Sequence, residues 1–369
     1  MTSAITDAPA APAGATPRWT SIRSRLRRPL LFLLSSLIGL VIGGLIIAVT
    51  GHNPIDAYRG LADGALVGPH FSNLQYTIDQ AIPVVGMGLA TAIAFRAGFF
   101  NLGGEGQLVL GGLTAALAAL YLPLPAPILM PAALLCGALV GGVYAAFAAL
   151  LQFELAVPLL ISTLILNYPA RYFATYLTVH RFRDIATGVP ETHTVPDAAR
   201  IPLLPVGTQV HAGLLILVAL LALLAFVIRR TTMGYEMNMT GLNPRFARYG
   251  GISIRRLGYT AMSASGAVAG LTGGIVVLAD FGRYVDGGLT DPLYAWTGLM
   301  AALLAGSAPL GVAIVGLFFA ALQTGALGME QATDVPHELS QVLQGIIILL
   351  IVARTTFGSS TDAAGSGSR

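Results

Sequence analysis

The sequence predicts an all-α, polytopic membrane protein, and three observations carry that prediction. Apolar residues make up 55% of the chain, charged residues only 10%, and mean hydropathy is +0.76. A soluble domain covers its surface with about 25% charged residues, so most of this surface must face lipid or sister helices. Glycine is abundant at 44 residues, as expected where membrane helices approach one another closely. The third observation is that all 20 basic residues are Arg and, rather than gathering on one soluble face, mostly fall between apolar segments, where they set topology. That placement argues against nucleic acid as a partner despite a pI near 9.1. The single cysteine, Cys136, lies in an apolar stretch and allows neither an intrachain disulfide nor a thiolate metal cluster.

Along the chain, residues 1–28 are rich in Ala, Pro, Ser and Thr and end in Arg23, Arg25, Arg27 and Arg28, which reads as a disordered cytoplasmic tail. Pro29 to Thr50 exceeds the apolar core of a signal peptide, roughly 7–15 residues, and reads as a first membrane helix. Further apolar segments lie near 74–94, 97–121, 129–151, 155–179, 211–228, 258–279, 292–306, 309–328 and 337–354. The count is about ten spans within a permease-like domain over 29–355, followed by a flexible cytoplasmic tail at 356–369. Residues 97–121 open on a Gly-rich polar run, and 292–306 is short for roughly 30 Å of hydrocarbon. Both read as candidates for broken or re-entrant helices.

Charge gives direction. With the N-terminus inside and strict alternation, the inner side holds 14 of the 20 Arg residues, including Arg96, Arg229, Arg230, Arg245, Arg248, Arg255 and Arg256. Both termini are then cytoplasmic. The four spans from 74 to 179 begin outside and the four from 258 to 354 begin inside. Each set has its interrupted segment second, the pattern of two inverted repeats with a pathway between them.

The stretch that carries most chemistry runs from Phe95 to Gln107. Asn101, Glu105 and Gln107 stand at the edge of a span, where a charge near the centre costs about 2.5–3.5 kcal/mol on insertion scales. Two roles fit them: facing an aqueous substrate pathway, or forming a polar turn at the membrane interface. In the fifth span, Ser162 and Thr163 suit hydrogen bonds between helices, while Asn167, followed by Tyr168 and the helix-opening Pro169, is the better pathway candidate. Gly266, Gly270 and Gly274 recur every fourth residue and mark a packing face. Tyr294 and Trp296 fit either interface anchors or aromatic platforms for a ring-shaped substrate.

The longest internal loop, 229–257, contains Glu236, Gly241, Asn243, Pro244, Arg245, Phe246, Arg248 and Tyr249. Asn243 followed by Pro244 predicts an N-cap and first helical position, with Arg-Phe-Ala-Arg-Tyr forming a turn or two closed by glycine. Such a helix with exposed aromatics suits docking to a partner, and a plain basic loop is the alternative. A phosphate-binding Walker A loop needs a lysine, so this chain does not supply that machinery. No zinc-protease or nucleophile-elbow motif occurs either, which argues against an enzyme.

The run Phe-Asn-Leu-Gly-Gly-Glu-Gly-Gln at 100–107 resembles the signature of permease subunits in ABC importers for nucleosides and simple sugars, a family within the group of ribose and branched-chain amino acid permeases. Further blocks resemble it in the same order: His52-Asn53-Pro54 with Ala57-Tyr58, Leu166-Asn167-Tyr168, Gly241 to Pro244, Arg248 to Ile252, Pro309-Leu310-Gly311 and Val335 to Gly345. The resemblance covers roughly residues 30–355. It implies a multi-pass subunit of a bacterial cell membrane, paired with a second permease in a heterodimer. It also implies cytoplasmic ATPase subunits that bind ATP and Mg, no cofactor on this chain, and an extracytoplasmic binding protein or lipoprotein that delivers the solute. Segment 241–252 would be the coupling helix. Asn238, where a basic residue is expected, and Phe246, where a small one is common, depart from the pattern. The competing reading is a secondary transporter of small polar solutes driven by an ion gradient.

Overall fold

The computed structural model describes residues 37–68, 71–204 and 209–339, with a few helical positions between 341 and 349. The predicted tails at 1–28 and 356–369, residues 29–36 of the predicted first span and half of the 337–354 segment lie outside the described residues. The chain divides into two compact units. In one, the described residues up to Leu45 form most of helix α1 (Leu37–Val49). The other comprises Ile46–Val342 and contains everything discussed below.

That unit is helical, and among the described residues only isolated bridges such as Arg183 with Thr192 and Glu191 with Val285 pair extended backbone. Its helices are α2 (Pro54–Leu66), α3 (Ser72–Arg96), α4 (Gly104–Tyr121), α5 (Ala126–Leu155), α6 (Leu159–His180), α7 (Gly213–Arg230), α8 (Thr232–Leu242), α9 (Pro244–Tyr249), α10 (Ile254–Val276), α11 (Tyr294–Leu304) and α12 (Pro309–Thr333). Five of them, α3, α5, α7, α10 extended to Phe281, and α12, are long and apolar enough to cross a membrane. The short apolar helices α1 and α11 fall below that length.

Several boundaries have a clear chemical cause. Asn53 caps α2 by accepting the Ile55 N–H at 3.0 Å, with Pro54 in the first turn. This helix lies in a stretch whose mixed polarity reads as a loop, and it packs along α12. Thr231 and Ser253 cap α8 and α10 through their hydroxyls. The 229–257 loop is therefore largely helical. A π-turn at Val277–Phe281 closes α10. Pro169 does not break α6, which runs continuously through it, and the Tyr144 hydroxyl donates to the Leu166 carbonyl at 2.6 Å beside that turn.

The predicted glycine face is a close seam between helices. A Cβ at Gly266 would overlap the Gly141 carbonyl, and one at Gly270 would overlap the Gly137 carbonyl, so α5 and α10 touch backbone to backbone. Gly274 is less constrained, with Ala115 Cβ at 3.1 Å from the position its own Cβ would take. The core of α3, α4 and α10 is built from small and aliphatic residues, among them Val84, Leu89, Leu108, Ala269 and Val277. The outward faces of α5 and α7 carry exposed Leu135, Leu139, Val143, Leu215, Val218 and Leu223. Such faces suit a lipid solvent.

Candidate functional site

The first turns of α4 and α11 meet the middle of α6 around a cleft of about 490 Å³, lined by Glu105, Leu164, Asn167, Tyr168, Arg171, Thr290, Asp291, Leu293 and Trp296. α11 has only 11 residues, and its first turn lies beside α4's first turn rather than at a distant bundle end. Two helix N-termini thus lie at the cleft, and Glu105 in the first turn of α4 offsets the positive end of that helix. Glu105 Oε2 accepts the Trp296 indole N–H at 3.0 Å, which joins the two walls.

Behind this surface lies a closed polar network. Asn101 Nδ2 donates to Gln107 Oε1 at 3.0 Å and to Ser265 Oγ at 2.9 Å, and Gln107 Nε2 donates back to Asn101 Oδ1 at 3.1 Å. Asn101 Oδ1 also accepts the Gly103 N–H at 3.0 Å, while Ser265 donates to the Ala90 carbonyl at 2.7 Å. From α6, Asn167 Nδ2 donates to the Leu102 carbonyl and its Oδ1 accepts the Gly106 N–H, both at 2.9 Å. Thr163 Oγ1 accepts the Leu102 N–H at 3.2 Å. Side chains thereby serve the Leu102 N–H and carbonyl and the Gly103 and Gly106 N–H groups where the backbone has no regular partner, as the interior of a membrane protein demands.

Of the predicted pathway residues, Glu105, Asn167 and Trp296 come together on the main cleft. Asn101 and Gln107, at 4% and 1% exposure, sit behind it and hold the loop. Tyr168, Arg171 and Asp291 also line the cleft and were not read from sequence as site residues. Arg171 stands one helical turn after Asn167, and that spacing was the available signal. The cleft therefore presents two carboxylates, one guanidinium, an amide and two aromatic rings, a set able to hydrogen-bond and stack against a small polar solute.

A second polar cluster joins three segments distant in sequence. His211 Nε2 lies 3.2 Å from Asp79 Oδ1 on α3 and 3.4 Å from Asp280 Oδ1 in the π-turn. His211 Nδ1 accepts the Gly213 N–H at 3.0 Å, so the neutral ring carries its proton on Nε2, facing the carboxylates. A metal ion would need the Nε2 lone pair, and this tautomer does not offer it. Burial pushes the His211 imidazole below its ordinary value, and the Asp79 charge opposes that shift. Elsewhere, beside Thr192, Tyr284 is also buried and its phenol is pushed up by that burial.

The 241–252 segment folds as the sequence predicts: Asn243 Oδ1 accepts the Phe246 N–H at 3.1 Å, Pro244 opens α9, and Gly250 follows it. Leu242, Phe246 and Tyr249 are 80%, 62% and 92% exposed. Gly241 lies within α8, against the 96–98 backbone, and Glu236 lies on the same helix.

Residues 73–352 match the family described as branched-chain amino acid transport system, permease component. The guanosine ABC transporter permease protein NupP of Bacillus subtilis is 32% identical over 337 residues, covering 89% of this chain and 94% of its own length. The glucose ABC transporter permease protein TsgB13 of Haloferax volcanii is 31% identical, over 88% of this chain and 87% of its own. The nucleoside ABC transporter permease protein NupB of Lactococcus lactis is 28% identical, over 90% and 93%. No solved structure gives a significant match.

Proposed function

This chain belongs to the branched-chain amino acid transport system permease family, and we propose that it passes a nucleoside through the membrane as one half of an ATP-driven importer. The chain is a permease subunit, a transport component and a multi-pass membrane protein. The family favours ATP-driven import over the ion-gradient alternative. What supports the nucleoside reading is the cleft: Trp296 and Tyr168 offer ring faces, while Asn167, Arg171, Asp291 and Glu105 offer donors and acceptors for a base and a ribose. Two relatives carry guanosine or nucleoside in their names and one carries glucose, so a simple sugar is the second reading.

The complete machine in this proposal has about ten spans in this subunit, arranged as inverted repeats with both termini cytoplasmic. It adds a second, non-identical permease, ATPase subunits holding ATP and Mg, and an external binding protein. Exposed Phe246 and Tyr249 on α9, beside Arg245 and Arg248, are the surface that would seat the ATPase. Asn101, Glu105, Gln107, Asn167 and Trp296 would shape the pathway. The test is competition: uptake of labelled guanosine by cells expressing the whole operon should fall with excess unlabelled nucleosides and not with glucose. Competition by glucose alone would replace the nucleoside reading with the sugar one.

A further inference from the structure

Arg96, the last residue of α3, hydrogen-bonds both α8 of the predicted docking segment and the turn that follows α11. Its Nε donates to Asn238 Oδ1 on α8 at 2.6 Å, and a terminal guanidinium nitrogen donates to the Ser307 carbonyl at 3.1 Å. Ser307 lies in the turn between α11 and α12 with φ +57°, a backbone conformation that side chains rarely adopt. Its own N–H donates to the Ala302 carbonyl of α11 at 2.8 Å, so the turn is fixed to that helix. On the other side, α8 touches the α3–α4 loop directly. The Gly241 Cα lies 3.3 Å from where a Gly98 Cβ would stand, and a Cβ on Gly241 would overlap the Arg96 carbonyl. Gly98 has φ +82°, so both glycines are required there.

Follow each connection to its far end. From Arg96 the chain runs through 97–103, held by the Asn101 network, into Glu105 at the start of α4. From Ser307 it runs back along α11 to Trp296. Glu105 and Trp296 are the pair joined by a hydrogen bond across the cleft. Two separate routes of chain and hydrogen bonds thus connect α8 with the two members of that pair, and Arg96 is common to both.

We propose that Arg96 is a positioning residue for energy coupling: it holds Asn238 and Ser307 together so that movement of the α8–α9 docking segment changes the separation of the Glu105 and Trp296 walls. The role calls for donors on two separate nitrogens of one planar group, which a guanidinium has, whereas an ammonium's three donors share a single nitrogen. It also accounts for an asparagine at position 238, where a basic residue would repel Arg96 instead of accepting from it. The inference rests on the importer reading.

The experiment compares the reconstituted wild-type importer with Arg96→Gln, Arg96→Lys and Asn238→Ala, measuring solute transported per ATP hydrolysed, basal ATPase rate and subunit stoichiometry. The expected result is a fall in the transport-to-hydrolysis ratio on the order of tenfold for Arg96→Gln, with basal ATPase and stoichiometry retained. Arg96→Lys should recover part of the ratio. Asn238→Ala should lower it alone and add little to Arg96→Gln in the double variant. A ratio within about twofold of wild type in Asn238→Ala, or additive losses in the double variant, overturns the proposal. Asn238→Ala removes only the acceptor, so it decides the matter even if Arg96→Gln does not assemble. A wild-type complex whose transport ignores ATP would instead overturn the importer reading, which keeps the two failures apart.

Discussion

Replacing Asn167 with alanine separates a residue that holds the site from one that merely borders it. Its amide makes two bonds to the backbone of the 102–106 segment, donating to the Leu102 carbonyl and accepting from the Gly106 N–H. Asn167→Ala leaves both groups without a protein partner. Each such loss costs about 1–3 kcal/mol when no water replaces the partner, so the range is about 2–6 kcal/mol. Because Asn167 lines the cleft, a water there can serve one of the two groups, which places the expected cost near 2 kcal/mol. The thermal midpoint of the purified complex should fall by several degrees, and protease sensitivity should appear at 97–104. A midpoint for Asn167→Ala indistinguishable from wild type would refute the reasoning that this side chain supports the loop.

Three further outcomes follow from the same geometry. Gly266→Val forces a side chain into the Gly141 carbonyl, so it should cost at least about 1–3 kcal/mol and reduce folded protein in the membrane; an unchanged yield and melting curve would contradict the α5–α10 seam. Phe246→Asp alters an exposed ring on α9, so the melting of the permease alone should move by less than about 0.5 kcal/mol while transport is lost, as flux and melting measured on one preparation will show. The His211 imidazole has a depressed affinity for its proton in the folded chain. Its stabilising contribution is therefore complete above the ordinary value near 6.5 and is lost as pH falls below it. Melting between pH 8 and pH 5 should drop more for wild type than for His211→Gln, and parallel profiles would be the contrary result.

Much of the fold was legible because hydropathy over a long segment has few alternatives. α3, α5, α7, α10 and α12 coincide with predicted spans, and α9 was read from Asn243-Pro244 alone. The same Asn-Pro signature stands at Asn53-Pro54, yet α2 was not predicted, since its alternating Asp, Arg and Gly residues hide a face that only α12 reveals. The site was legible as a place and less so in its parts. Asn101 and Gln107 are polar in an apolar stretch, which is what a pathway residue looks like in sequence. Their partners, Ser265 and each other, depend on a helix packed 164 residues away. The Asp79, His211 and Asp280 cluster was invisible for the same reason: three separate segments each contribute one ordinary residue.

The central claim is that this chain forms the membrane passage of an ATP-driven importer. The direct measurement is uptake of labelled guanosine into proteoliposomes containing this permease with its neighbouring permease, ATPase and binding protein. The account predicts accumulation that requires ATP and the binding protein, and that persists when an uncoupler abolishes ion gradients. Uptake that continues without ATP and collapses with the uncoupler would contradict it.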